Sequence, residues 1–172
     1  YEIAQCLVGS EMCIRDRLDA EPQLFHPGDL DYIHSVERIS KLSNVISING
    51  GVQLDLMGQE NAESAGTRQL SGIGGQMDFL EGAYRSKGGK GFICINSSRV
   101  TKDGERKSNI LATIPGGSTI SAPRTMIQYV ATEYGIASLS GKTLRERAEA
   151  MASIAHPDFR EELMKYAQEN FK

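Results

Sequence analysis

The chain has 172 residues, 40% of them hydrophobic and 24% charged, the balance of one folded domain long enough to bury a core without disulfides. Lysine and arginine number 19 against 22 acidic residues, a net charge of −3, which argues against holding nucleic acid by broad phosphate neutralisation. No run approaches the roughly 18 apolar residues of a membrane span, and no basic end followed by an apolar run opens the chain, so the cytoplasm is the expected compartment.

Cys6 to Arg17 reads CLVGSEMCIRDR, shows neither helical nor strand periodicity, and resembles a translated sequencing adapter. Residues 1–17 are therefore expected to be non-native and the domain proper to run over 18–172. On that reading Cys6 and Cys13 are no redox or metal pair. Cys94 lies in the apolar run Phe92-Ile93-Cys94-Ile95 and is expected to be buried and inert. His26, His34 and His156 have no cysteine or carboxylate at ligand spacing, so no metal site is predicted.

Further along, Val45 to Ile48 is a β-branched run, and Val52 to Leu56 alternates apolar and polar with period two. Around Gly50-Gly51 these read as paired strands. Phe92 to Ile95 reads as a strand covered on both faces, and Ile110 to Ile114 as another before Pro115-Gly116-Gly117. Pro123 is placed to open a helix whose stripe is Met126, Ile127, Val130 and Ala131, with Gly135 ending it and a strand over 136–139 following. Thr143 and Glu146 have the spacing of a capping box, so a helix is predicted from Leu144 to about Ala155. Pro157 then suits the first turn of a second helix, with Phe159, Leu163, Tyr166 and Ala167 inward. Strands mixed with helices at this spacing predict an α/β layered domain.

Glycine numbers 18, and eleven of these fall between Gly50 and Gly91. The sharpest cluster is Ser71-Gly72-Ile73-Gly74-Gly75-Gln76-Met77-Asp78-Phe79. Its glycines either make a turn or present consecutive amides to an oxyanion, a phosphate or a thioester carbonyl. A dinucleotide fingerprint fails because Met77 stands at the third glycine. A phosphate-binding Walker loop fails because Tyr84 precedes and Gly91 follows Gly89-Lys90 at the key positions, and a hydrolase elbow fails because Ile120 follows Gly116-Gly117-Ser118-Thr119.

The order of blocks adds more than any one spacing. Val45-Ile46-Ser47-Ile48-Asn49, Val52 to Gln59, SGIGGQMDF, Arg85 to Lys90, Tyr129 to Gly135, and Ile154 to Leu163 together resemble the C-terminal half of the acetyl-CoA hydrolase/transferase family, from about Phe25 onward. The resemblance implies a CoA-transferase-type (NagB/RpiA-like) layered domain with a mostly parallel sheet and flanking helices, cut from a two-domain enzyme. It implies acyl-CoA and small carboxylic acids as partners, coenzyme A as substrate, and no metal. It also implies a glutamate nucleophile that forms a glutamyl-CoA thioester. That glutamate belongs upstream of residue 18, so no catalytic residue is placed in this chain, and the chain alone is expected to be inactive.

By the same resemblance Val52 and Gly75 lie against CoA, with Gln76 adding an amide donor to the pocket. Lys102 is the match for a lysine contacting CoA, and Lys87 and Lys90 are its rivals for the phosphate. Pattern alone makes Val52 core, alternating with Leu54 and Leu56, and Lys102 a solvated loop lysine. Glu133 is read as structural, at the end of the helix opened by Pro123. An acetyl-CoA hydrolase and a stand-alone CoA-binding module without catalysis stay open beside the transferase, as does the oligomeric state.

Overall fold

The computed structural model describes residues 11–26 and 28–171. The chain divides into two units, Tyr1–Ile33 and His34–Lys172. In the first, α1 (Glu11–Ala20), a 3-10 turn (Pro22–Leu24) and α2 (Leu30–Ile33) follow one another. The helix over 11–20 has no apolar stripe: Glu, Arg, Leu and Ala favour helix locally, and Arg17 pairs with Glu21 at 3.1 Å one turn on. Cys6 lies outside the described residues.

The second unit begins with α3 (Val36–Lys41), capped by Ser35, whose hydroxyl accepts from the Arg38 amide. Its central sheet has the order β1-β6-β10-β11, from Ile46–Gly50, Lys90–Cys94, Tyr129–Thr132 and Gly135–Ser138. β1 and β10 both run parallel to β6, and β11 returns antiparallel beside β10. A second sheet, β3-β2-β9, is formed by Glu60–Asn61, Gln53–Asp55 and Ile110–Leu111. Two small hairpins complete the strands, β4 (Ser64–Ala65) with β5 (Arg68–Gln69) and β7 (Ser98–Val100) with β8 (Arg106–Ser108). α4 (Gln76–Arg85) leads from the β4–β5 hairpin to β6, and α5 (Leu144–Ser153) and α6 (Pro157–Asn170) close the chain.

Three expectations are corrected. Val45–Ile48 and Val52–Leu56 do not pair with each other, because the chain changes sheets between them. The Gly51 amide donates to Cys94 O (3.2 Å), extending the central ladder, while the Val52 amide donates to Asn61 O (3.0 Å). No helix follows Pro123: residues 123–128 turn, and Tyr129–Thr132 is a strand between β6 and β11. Two flanking ladders outweigh a four-residue apolar stripe, and Tyr, Val and Thr favour the pleated surface. Gly135 accordingly opens β11 instead of ending a helix. Finally, β6 is not covered on both faces. Its residues alternate, with Gly91 and Ile93 buried and Cys94 exposed.

The C-terminal helices agree with expectation. Thr143 and Glu146 form the capping box, the Glu146 amide donating to Thr143 Oγ1 and the Thr143 amide to Glu146 Oε2 (2.7 Å). Pro157 occupies the first turn of α6, and Leu163 and Ala167 are buried with Phe159 and Tyr166 packed against the core. Arg147, buried in α5, ties three distant segments by donating to the carbonyls of Met57 (2.9 Å), Leu139 (2.8 Å) and Arg124 (2.8 Å).

Ser47, Ile93, Val130 and Ala137 point from the central sheet into a core shared with Leu54, Leu56, Leu80, Ile110 and Met151. The opposite face carries Ile48, Phe92 and Tyr129 in register across three strands, the two rings stacked at 4.9 Å. Ile48 there is 68% exposed and Ile136 64%.

Candidate functional site

Parallel strands leave their ligand-binding crevices at their carboxyl ends, where successive loops diverge. At that edge β1, β6 and β10 enclose a crevice of about 420 Å³ lined by Gly51, Cys94, Ile95, Asn96, Ala131, Thr132 and Glu133. Glu133 sits in the turn joining β10 to β11, not at a helix end. Its carboxylate accepts from the Ser97 amide (2.9 Å) and hydroxyl (2.6 Å). Partial desolvation raises that carboxyl, but the Ser97 bonds outweigh it and hold the group below the usual carboxylate range. Glu133 therefore braces the loop after β6. Cys94, expected to be buried, opens on the crevice, where desolvation still holds its thiol above the ordinary value and disfavours the thiolate.

The glycine cluster forms the loop into α4. Gly74 adopts φ +60° with open space around it, and Gly75 is the N-cap of the helix with no capping side chain. Among the described residues, no hydrogen bond is made by the amides of Gly74, Gly75 or Gln76. These are orphan donors of a helix start, next to exposed loop residues, and they can receive a carbonyl or an anionic oxygen. Gly75 gives room to a neighbour: a Cβ there would lie 2.3 Å from the His34 ring, which would have to move. His34 in turn faces Asp78 (Nδ1 to Oδ2, 3.5 Å) and meets the edge of Phe79.

Val52, expected by pattern to join Leu54 and Leu56 in the core, is only half-buried, in the bend where the chain changes sheets. Gln76 is 8% exposed, and its side chain turns inward to donate to Glu60 Oε2. The free amide donor expected of Gln76 is thus engaged by a carboxylate. Glu60 is fully buried, its Oε1 has no partner, and that oxygen lies 2.7 Å from where a Cβ on Gly51 would stand. One carboxyl thereby spans the Gly51-Val52 bend and the Gly75-Gln76 helix start. Neither His34 nor Glu60 was singled out by the sequence. Glu60 left one signal, a charged residue at the edge of a short strand with no cation nearby in sequence.

Lys102 stands exposed at the tip of the β7–β8 hairpin, which leaves from the carboxyl edge of β6. Lys87 and Lys90 follow the far end of α4, a helix of ten residues and about 15 Å, and Lys90 begins β6 at the amino edge. They are therefore separated from Gly75, whereas Lys102 comes from the same edge as the crevice. Among the described residues no cluster of three or more His, Cys, Asp or Glu is arranged to hold a metal, and no helix is long and apolar enough to cross a membrane.

A mostly parallel sheet, helices packed on it and a glycine loop at a helix start define an α/β domain of the CoA-transferase type, and solved relatives share it. RipA from Yersinia pestis superimposes with a TM-score of 0.71 at 40% identity, over 81% of this chain and 30% of RipA. Residues 13–167 match the acetyl-CoA hydrolase/transferase C-terminal domain, and the chain belongs to that family. It is 44% identical over 153 residues to butyryl-CoA:acetate CoA-transferase of Anaerostipes caccae, covering 89% of this chain and 34% of that one. It is 47% identical over 142 residues to 4-hydroxybutyrate coenzyme A transferase of Clostridium kluyveri, covering 83% and 32%. The chain thus spans about a third of the length of the curated relatives it matches.

Proposed function

We propose that this chain is the CoA-binding C-terminal domain of a cytoplasmic CoA-transferase that moves CoA between a short-chain acyl-CoA and a carboxylate. A glutamate from the part of the protein before residue 18 attacks the acyl thioester. The displaced CoA thiolate then takes the glutamyl carbonyl, releasing the first acid, and the glutamyl-CoA thioester passes CoA to the second acid. The observation that carries this reading is the run of unpaired amides at Gly74, Gly75 and Gln76, tied through Glu60 to the Gly51-Val52 bend.

In this reading the half-buried Val52 gives apolar contact to the pantetheine arm, and the Gly75 and Gln76 amides face the thioester end. Lys102 supplies a mobile cation for a phosphate or a pantetheine carbonyl. The exposed apolar sheet face supports a larger protein, since parallel sheets are ordinarily covered on both sides and the relatives are about three times as long. The segment preceding residue 18 is the occupant proposed for that face, and residues 1–17 as they stand are proposed to be foreign to it.

The test uses the full-length protein, with the upstream coding sequence restored, incubated with butyryl-CoA, treated with borohydride and mapped by mass spectrometry. One upstream glutamate is expected to appear as its reduced alcohol, only when acyl-CoA is present. No modified glutamate overturns the mechanism, and product release by water as fast as by acetate turns the reading to a hydrolase.

A further inference from the structure

Glu60 is a buried charged-type residue that takes no step in the proposed acyl transfer. It is 0% exposed, at the start of β3, and its backbone is fixed on both sides: its amide donates to Ala122 O (3.0 Å) and its carbonyl accepts from Ser121 (2.8 Å). Among the described residues it makes no ion pair. Its single side-chain partner is Gln76, the first residue of α4, and its other oxygen abuts the Gly51 backbone. A rigidly mounted carboxyl thus touches the two segments proposed to receive CoA, one on each side.

We infer that Glu60 is a positioning residue that clamps the Gly75-Gln76 helix start to the Gly51-Val52 bend and thereby fixes the width of the CoA pocket. The inference rests on the CoA-binding reading above. The carboxyl reaches from the second sheet to α4, and a Cβ at position 51 would stand 2.7 Å from its Oε1, so a side chain there would push the clamp aside. Burial pushes the Glu60 carboxyl up to about 8, the Gln76 bond opposing, so the clamp is a neutral acid at pH 7. Above pH 8 it is a buried anion with an unsatisfied oxygen, and the loop must open to hydrate it.

The other titratable groups on the surrounding elements are Asp55 in β2, Glu63 after β3, Asp78 in the first turn of α4 and His34 against it. Asp55 accepts from the Met57 and Gln59 amides, Glu63 from Ser121, and His34 faces Asp78. All are unchanged in Glu60→Gln, which keeps the shape and an acceptor for Gln76, so their titration cancels in a comparison with the wild type.

The experiment follows hydrogen–deuterium exchange in the first turn of α4, corrected for intrinsic rates, from pH 6.5 to 9, alongside CoA affinity by calorimetry. In the wild type, protection is expected to fall about tenfold between pH 7 and 9, with CoA affinity falling in parallel. In Glu60→Gln both are expected to stay within about twofold, and in Glu60→Val both are low at every pH. Protection and CoA affinity in Glu60→Val equal to those of Glu60→Gln across the range overturn the clamp. Divergent profiles with no CoA binding by the wild type leave the clamp and overturn the CoA reading.

Discussion

The two faces of the central sheet are made of the same strands and differ in almost everything else. Toward the helices, Ser47, Ile93, Val130 and Ala137 are at most 5% exposed and pack with α4, α5 and the second sheet. On the other side Ile46, Ile48 and Ile136 are each more than half exposed, beside the stacked pair Phe92 and Tyr129. Apolar side chains on both faces of a parallel sheet are the composition of a strand meant to be covered twice. Within this chain one face of the sheet is packed and the other is not, which is the asymmetry behind the proposed covering segment. The segments proposed to bind CoA all depend on the packed side: Gly51, Glu60 and Gln76 meet next to Ile93.

Placing a charge inside the packed side is expected to cost the most. Glu60 has its carboxyl raised to about 8 when folded, against 4.5 for the free group, so folding favours the protonated form. Its contribution to stability is therefore whole below about pH 4.5, declines as pH rises between 4.5 and 8, and is gone above. Linkage over that window is worth on the order of 4 kcal/mol. Urea unfolding of wild type against Glu60→Gln should show the wild type losing this much more between pH 5 and 8. A constant difference across that range would mean the carboxyl is hydrated in the folded protein. Next in size is Ile93→Ala, which opens a cavity where no solvent reaches and should cost about 3 kcal/mol in the same measurement.

Much of the packed side was legible because its signals are local. Thr143 with Glu146, Pro157, and the inward set of α6 each depend on neighbours within one or two turns, whereas the glycine cluster reads as a turn or an amide nest and gives no sign of the helix α4 that follows it. What was illegible depends on pairing between residues far apart. Tyr129–Thr132 is a strand because β6 and β11 flank it, which no window around Met126 contains. The sheet change at Gly51-Val52 is decided by Cys94 and Asn61, more than 40 and nearly 10 residues away. Cys94 was read as buried because Phe92 to Ile95 is continuously apolar, and that run describes two coverings of which this chain holds one. Glu60 and His34 matter through what lies against them in space, Gly51, Gln76 and Gly75, and a charged residue in a short strand carries no mark of that.

A smaller effect sharpens the packed side alone. Thr143→Ala removes the N-cap acceptor and half of the capping box, and should cost about 1 kcal/mol without altering CoA binding, because α5 starts away from the crevice. A loss of CoA affinity equal to that of Glu60→Val would mean the pocket responds to stability in general and not to the clamp.

The smallest expected effect belongs to the exposed face. Ile48 is 68% exposed and keeps its place in β1 through backbone pairing with β6, so Ile48→Thr retains the β-branch and removes apolar surface that meets mostly water. Its cost should be within about 0.5 kcal/mol, well below that of Ile93→Ala one strand away on the other side. The same substitution should reduce self-association of the isolated chain in sedimentation at rising concentration, because an uncovered apolar sheet face is the surface two copies would share. If Ile48→Thr instead destabilises as much as Ile93→Ala, the face is already covered within this chain. The asymmetry on which the proposal of an upstream covering segment stands would then be lost.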